Sequence, residues 1–214
     1  MSRSPDENTV VAVRMTQVPD SEGFPQELAW RAASAIRFSA DWAGRNADPQ
    51  LETEVRVLWS PETLHLKFTA KYRLITVFAD SEPHGRRDQM WDRDVAEAFL
   101  QPSSSPANCY KEFEVSPNGL WIDLDIAPGQ KRDLKSGLQR RASVDGQRKT
   151  WQAELAIPIH SIKPDFDPSL EWRANFYRVE GPAEPRFYSA WRPTRTPQPN
   201  FHVPEAFGRL IFAN

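Results

Sequence analysis

The sequence of 214 residues lacks the features that mark several classes of protein. Its single cysteine, Cys109, excludes an internal disulfide and a cysteine-rich metal site. Its net charge of −2 provides no basic excess, so we expect neither a nucleic-acid partner nor a membrane partner. No run approaches the roughly 18 apolar residues that a membrane-spanning helix needs.

The first residues, MSRSPDENTVVAV, are polar and contain no apolar core of a signal peptide. As written, the chain is therefore expected to be cytoplasmic. If the start is truncated, the alternative is a secreted protein. The composition does not predict the oligomeric state.

Glycine is also scarce, with 9 residues, whereas there are 19 prolines and 8 tryptophans. Proline is disfavoured inside helices and occurs at turns and strand edges, so this balance argues against long helices. Tryptophan in this number raises the expectation of an aromatic binding surface.

Two-residue periodicity predicts most of the secondary structure. Apolar residues alternate over 55–59 and 64–68, on either side of the turn Ser60-Pro61-Glu62, and this pattern predicts a β-hairpin. We predict about ten strands and an all-β fold, a jelly-roll-like antiparallel β-sandwich of two sheets. The expected organisation is a disordered leader over residues 1–9 and a single domain over 10–214.

The stretch Met90–Phe99, MWDRDVAEAF, combines a tryptophan with charged residues at the entrance of a predicted strand. The apolar face of a sugar ring can stack on an indole while its hydroxyls bond to charged groups such as Glu97. The alternative interpretation is an edge strand with a solvated acidic face and a half-buried tryptophan.

Several segments in this order resemble the family 9 carbohydrate-binding modules, in particular the stand-alone family 9-like proteins. The similarity covers roughly residues 10–213. It rests on the segments LWSPETLHLKF, WDRDVAEAF, YKEFEVSPNG, Trp121–Asp123, WRANFYR, AWRPT and FHVPEAFGRL.

The resemblance implies non-catalytic binding of the end of a saccharide chain, held between two tryptophans, in carbohydrate catabolism related to xylan or cellulose. By motif position these are Trp91 and Trp191, with Glu97 as the carboxylate and Arg178 as the cationic group. Asn118 is a looser match to the polar contacts of the family. The resemblance also implies that structural calcium can be present, although the sequence shows no ligand set for it and no required cofactor.

Trp121 competes for a role in ligand binding because strand alternation places it on a polar face with Asp123 and Asp125. Together with Glu112 and Glu114, these aspartates predict an acidic sheet face. Two such carboxylates could catalyse the hydrolysis of O-glycosyl bonds. The alternative function is therefore that of a glycoside hydrolase. A third hypothesis is a sandwich that has become a protein-interaction module.

Overall fold

The computed structural model describes residues 6–214. In this part of the chain there are thirteen strands: β1 Thr9–Arg14, β2 Ile36–Phe38, β3 Thr53–Trp59, β4 Thr63–Lys71, β5 Val95–Gln101, β6 Tyr110–Val115, β7 Trp121–Ala127, β8 Gln130–Asp133, β9 Gln139–Asp145, β10 Thr150–Pro158, β11 Trp172–Glu180, β12 Phe187–Ala190 and β13 Gly208–Ala213. Two short α-helices, α1 Glu27–Ala32 and α2 Ile159–Ile162, join them. The 3₁₀ turns are Pro49–Leu51, Pro83–Gly85, Met90–Asp92 and Pro204–Ala206.

Residues 1–5 of the predicted leader lie outside the described residues, and β1 begins at Thr9. No helix within residues 6–214 is long and apolar enough to cross a membrane. The all-β prediction is confirmed. The strand number differs from the predicted ten mainly because short strands such as β2 and β8 have no clear alternation.

The strands form one hydrogen-bonded path in the order β8-β7-β6-β5-β11-β13-β1-β3-β4-β10-β9, with β12 added to β11 and β2 to β3. Strand β1 is parallel to both of its neighbours, β13 and β3. It therefore joins two otherwise antiparallel halves into one mixed, curled sheet. The prediction of two separate antiparallel sheets is not confirmed, because β1 bridges the halves.

The hairpin of β3 and β4 forms as the alternation predicts. Trp59 is opposite Leu64 and Val55 is opposite Phe68, and the apolar side chains of both strands are buried. At the turn, the backbone N–H of Ser60 donates to the Thr63 carbonyl, 2.8 Å away. Burial of this face contributes roughly 25 cal/mol for each Å² of apolar surface removed from water.

The curled sheet encloses the main core between its halves. Phe68 of β4 meets Phe176 of β11, a strand to which it is not hydrogen-bonded, with ring centroids 6.2 Å apart. A second apolar cluster lies on the other face of β5, β6, β7 and β11 and includes Phe99, Tyr110 and Tyr177. Because side chains alternate along a strand, each residue of β11 contributes to one of these faces only.

Candidate functional site

A pocket of about 180 Å³ opens beside the second cluster, over the outer face of β5 and β6. This volume is small compared with the roughly 300–1,000 Å³ of sites that enclose drug-sized ligands, and it suits one ring of a ligand. The pocket is lined by Trp91, Glu97, Glu112, Glu114, Lys131, Val179, Tyr188, Pro199, Asn200, Phe201 and His202.

Trp91 forms one wall of the pocket from the 3₁₀ turn Met90–Asp92. The turn is anchored by the buried side chain of Met90, and the Arg186 guanidinium donates to the Trp91 carbonyl at 2.7 Å. The indole itself is partly exposed. The ammonium of Lys131, on β8, lies 4.0 Å from the centroid of the Trp91 ring, which is a cation–π contact.

The wall that includes Phe201 and His202 comes from the proline-rich segment before β13. Phe201 stacks on Tyr177, with centroids 4.2 Å apart and ring planes 13° apart. The Tyr177 hydroxyl donates to the Phe201 carbonyl at 3.0 Å, and the Tyr110 hydroxyl bonds to His202 Nδ1 at 2.6 Å. Sequence reasoning missed this wall because the segment has no periodicity; its only signal was two aromatic rings in a proline-rich loop.

Three glutamates line the pocket between these walls. Glu97 of β5 is directly opposite Glu114 of β6, and Glu112 lies two residues away on the same face. Their exposed fractions are 3%, 0% and 2% for Glu97, Glu114 and Glu112, respectively. Both carboxyl oxygens of Glu114 and Oε2 of Glu112 have no hydrogen-bond partner within residues 6–214.

Burial raises the pKa of Glu97 and Glu114 well above the usual range, and the neighbouring carboxylates raise it further. The Lys131 ammonium acts in the opposite direction and favours the ionised forms. A proton on either Glu112 or Glu114 can form a hydrogen bond between the two carboxyl groups. These groups can therefore accept or donate hydrogen bonds to a polar ligand.

Arg178 does not reach this pocket. It is 1% exposed and faces the main core, where its guanidinium donates to the carbonyls of Leu51 and Lys71 and lies over the Trp151 ring at 5.8 Å. Tyr177, one residue earlier, is the position opposite Glu97. The register thus places Arg178 and Glu97 on opposite faces of the sheet, and burial lowers the pKa of Arg178 to about 10.

Trp191 also lies away from Trp91. It packs on Phe176, at 5.8 Å between centroids, and against Gly208, and it contacts the main core. It lines a different cleft, of about 410 Å³, together with Arg37 and Arg192. The structure does not bring the two tryptophans together in one pocket; the wall near Trp91 is formed instead by residues 199–202.

Asn118 and Trp121 hold the long loop before β5 rather than line the pocket. The Asn118 side-chain amide donates to the Phe78 carbonyl at 2.9 Å, and Trp121 Nε1 donates to the His84 carbonyl at 2.9 Å. Trp121 also packs against the main core. These contacts give both residues a structural role.

The predicted acidic sheet face is divided by the register of β6 and β7. Asp123 is opposite Phe113, so it lies on the face away from Glu112 and Glu114, where it accepts from the Ser136 backbone N–H at 2.6 Å. Asp125 is on that same far face and pairs with Lys111. The carboxyl group that lies on the same face as Glu112 and Glu114 is instead that of Glu97.

The structure assigns no ligands to the calcium that the family resemblance implies. No three side chains of His, Cys, Asp or Glu within residues 6–214 form a group that could hold a metal ion. Structural calcium therefore stays a prediction without assigned ligands.

The fold is that of known carbohydrate-binding β-proteins. A structure from Bacteroides uniformis assigned to carbohydrate binding superposes with a TM-score of 0.76, at 18% identity, over 95% of this chain and 98% of that chain. A family 9 carbohydrate-binding module from Caldicellulosiruptor kristjanssonii in complex with cellotriose has a TM-score of 0.68, at 14% identity, over 96% of this chain and 94% of that one. The same module has been solved with glucose.

The chain belongs to carbohydrate-binding family 9, whose model matches residues 39–212. A curated relative, an extracellular protein of the fungus Arthroderma benhamiae, is 26% identical over 200 residues, or 86% of each chain. The family resemblance inferred from the sequence motifs is therefore confirmed.

Proposed function

We propose that this protein binds carbohydrate without transforming it, in the pocket beside Trp91. The observation that carries the proposal is a partly exposed indole next to buried carboxyl groups with free hydrogen-bonding capacity, in a chain of family 9. Membership of a non-catalytic binding family supports carbohydrate binding without catalysis. The pocket provides an aromatic ring for stacking and carboxyl groups for hydrogen bonds.

In this proposal, the apolar face of a sugar ring stacks on Trp91, with Phe201 and His202 as the accompanying wall. Aromatic stacking contributes on the order of 0.5–1.5 kcal/mol, by analogy with aromatic pairs. The hydroxyls bond to Glu97 and to the oxygens of Glu112 and Glu114 that have no donor within residues 6–214. Lys131 moves off the indole when the ring binds; its side chain is exposed, so this movement is sterically simple.

The small volume of the pocket favours the terminal residue of a saccharide chain. The complexes of the C. kristjanssonii module with cellotriose and glucose support gluco-oligosaccharides as first ligands to test. A role in the breakdown of cellulose or xylan is part of the proposal.

The location of the protein is also a proposal. The A. benhamiae relative is named an extracellular protein, which supports the secreted alternative over the cytoplasmic one. Structural calcium would show as a change in thermal stability when a chelator is added and reversed when calcium is restored.

Calorimetric titration with cellotriose and glucose tests the pocket. We expect Trp91→Ala and Glu97→Gln each to weaken binding by about two- to tenfold, because each removes a direct ring or carboxyl contact. Trp191→Phe is the matched control, since it changes a tryptophan that lines another cleft. Loss of binding in Trp191→Phe, with normal binding in Trp91→Ala, would place the site elsewhere.

A separate assay, the hydrolysis of aryl glycosides, tests the alternative that the protein is a glycoside hydrolase. We expect no release of chromophore from aryl glycosides above the rate without protein. Turnover that disappears in Glu97→Gln would show that the pocket carboxyls catalyse hydrolysis and would overturn the non-catalytic assignment.

A further inference from the structure

The pocket next to Trp91 has an excess of hydrogen-bond acceptors. Glu97, Glu112 and Glu114 are at least 97% buried, and among the lining residues Lys131 is the only lysine or arginine. Glu114 is fully buried and lines the pocket, and neither of its oxygens accepts a hydrogen bond from an N–H or hydroxyl group within residues 6–214. A hydrogen bond between Glu114 and Glu112 requires a proton on one of the two carboxyl groups. Buried acceptors without donors are costly, and each such oxygen favours a ligand that brings a donor.

The other polar groups near the carboxyls are already engaged. The Tyr110 hydroxyl bonds to His202, and the Tyr177 hydroxyl bonds to the Phe201 carbonyl and to Asn175. The His202 side chain is half exposed, with Nδ1 4.0 Å from Glu112 Oε2. Desolvation lowers the pKa of His202 and so disfavours its imidazolium form, while Glu112 acts in the opposite direction. None of these side chains neutralises the three glutamates.

The ammonium group of Lys131 already lies against the aromatic wall of the pocket. Its Nζ rests 4.0 Å from the Trp91 centroid, on the ring that the proposed sugar would cover. It forms no ion pair within 4.0 Å with Glu97, Glu112 or Glu114 among the described contacts. Because Lys131 comes from the exposed strand β8, a ligand that carries its own ammonium can displace it and reach the carboxyls directly.

We propose that the pocket is selective for a protonated amino sugar, a hexosamine with a free amine, over the corresponding neutral hexose. The sugar ring would stack on Trp91 and the ammonium would donate to Glu114 and its neighbours. An ammonium has three N–H donors, whereas a hydroxyl has one, and charge-assisted bonds are the stronger kind. This inference rests on the proposed function, because it assumes that the pocket holds a sugar ring.

Proton release gives an independent signature of the ammonium. In the free pocket, burial and the neighbouring carboxylates raise the pKa of Glu97 and Glu114, so these two groups keep their protons to a higher pH than an exposed glutamate does. An ammonium lowers those pKa values, so its binding expels protons. We expect the calorimetric enthalpy for glucosamine to depend on the ionisation enthalpy of the buffer, and that for glucose to depend on it much less.

The decisive experiment compares glucosamine, glucose and cyclohexylammonium by calorimetric titration, at a pH where the amines are protonated. We expect glucosamine to bind about tenfold or more tighter than glucose, and tighter than cyclohexylammonium. Equal affinity for the two sugars would overturn the inference while leaving the proposed function intact. Binding of cyclohexylammonium as tight as that of glucosamine would overturn the assignment to a sugar. No binding of either sugar would overturn both proposals.

Variants test the role of charge. Glu114→Gln keeps the shape of the side chain, and we expect it to reduce the glucosamine-to-glucose affinity ratio toward one. The exposed Glu205→Gln is the control that keeps the ratio. Lys131→Gln removes the competing ammonium from an exposed strand, so it does not threaten folding, and we expect it to raise glucosamine affinity several-fold. Unchanged affinity in Lys131→Gln and an unchanged ratio in Glu114→Gln would contradict the proposal.

Discussion

At the scale of single residues, the pocket depends on carboxyl groups that are buried without donors. Glu97 and Glu114 lie side by side across β5 and β6, so ionisation of one disfavours ionisation of the other. A carboxyl group that forms hydrogen bonds with a ligand must have hydrogen-bonding capacity that the protein itself does not use. The unfilled hydrogen-bonding capacity of Glu114 therefore reduces stability and, in the proposed function, is available to a ligand.

This arrangement predicts how stability depends on pH. Burial raises the folded-state pKa of Glu114 above the value of about 4.3 in an unfolded chain, so the unfolded chain loses its proton first as pH rises. The contribution of Glu114 to stability therefore falls as pH rises from that value toward the folded-state pKa. We expect Glu114→Gln to be more stable than wild type by roughly 2 kcal/mol at about pH 8, with a smaller difference at about pH 5.

Urea unfolding at the two pH values measures this difference, and Glu205→Gln on the surface should show none. If Glu114→Gln gained the same stability at both pH values, this interpretation of Glu114 would be contradicted.

For Arg178, the ligand-binding role implied by motif position differs from the buried position that the structure shows. Its guanidinium holds the carbonyls of Leu51 and Lys71 inside the main core. We expect Arg178→Met to destabilise the fold by about 3 kcal/mol, as typically follows the loss of a buried charged group with partners. Chemical denaturation measures this loss. The fraction that remains folded should bind saccharide as wild type does, and a selective loss of affinity at unchanged stability would return Arg178 to the binding site.

Two of the predicted residues line the same pocket because they are close along the chain. Trp91 and Glu97 are six residues apart, and the strand alternation of VAEAF fixes which face Glu97 occupies. Glu112 and Glu114 were recognised as acidic but grouped with Asp123 and Asp125, because alternation gives the spacing within a strand and not the register between strands.

At the scale of elements, period-two patterns predicted the hairpins well. Strands β3 and β4 alternate and bury one face, whereas all four residues of β8 are exposed and give no pattern. The segment 199–202 has no regular structure, and its position follows from contacts such as Phe201 with Tyr177. Local patterns carry no information about such tertiary contacts.

The start of β13 gives a prediction at this scale. A Cβ on Gly208 would lie 2.6 Å from Trp191 Cη2 and 2.7 Å from the Asn8 carbonyl oxygen. We expect Gly208→Ala to cost about 1–3 kcal/mol of stability, because strand and indole must move apart. Thermal unfolding compares it with Gly146→Ala, where a Cβ meets nothing within 4 Å. Equal stability of the two variants would show that Trp191 does not pack as described.

At the scale of the whole molecule, β1 determines the architecture. Its pairing of Thr9 with Arg209 joins the two ends of the described chain, and its pairing of Val13 with Leu58 joins the two halves of the sheet. The sequence predicts that these segments are strands, but strand direction and partner depend on contacts some 200 residues apart. This is why the all-β class could be predicted and the mixed, continuous sheet could not.

The whole fold also explains why the proposed binding pocket lies on one face of the sheet and not on the other. The inner faces of the halves meet and exclude water around Phe68 and Phe176. On the outer face of β5 and β6, the 3₁₀ turn of Trp91 and the segment 199–202 leave the pocket between them. The proposed binding site is thus an opening in the segments that cover the second apolar cluster.

The most direct test of the central claim is a tryptophan-fluorescence titration of the whole protein with glucose and cellotriose, with and without calcium. We predict a saturable change in wild type that persists in Trp191→Phe and disappears in Trp91→Phe, because the ring next to the ligand is the reporter. A flat response to both sugars in the folded wild-type protein would contradict the account and limit the family relationship to the fold.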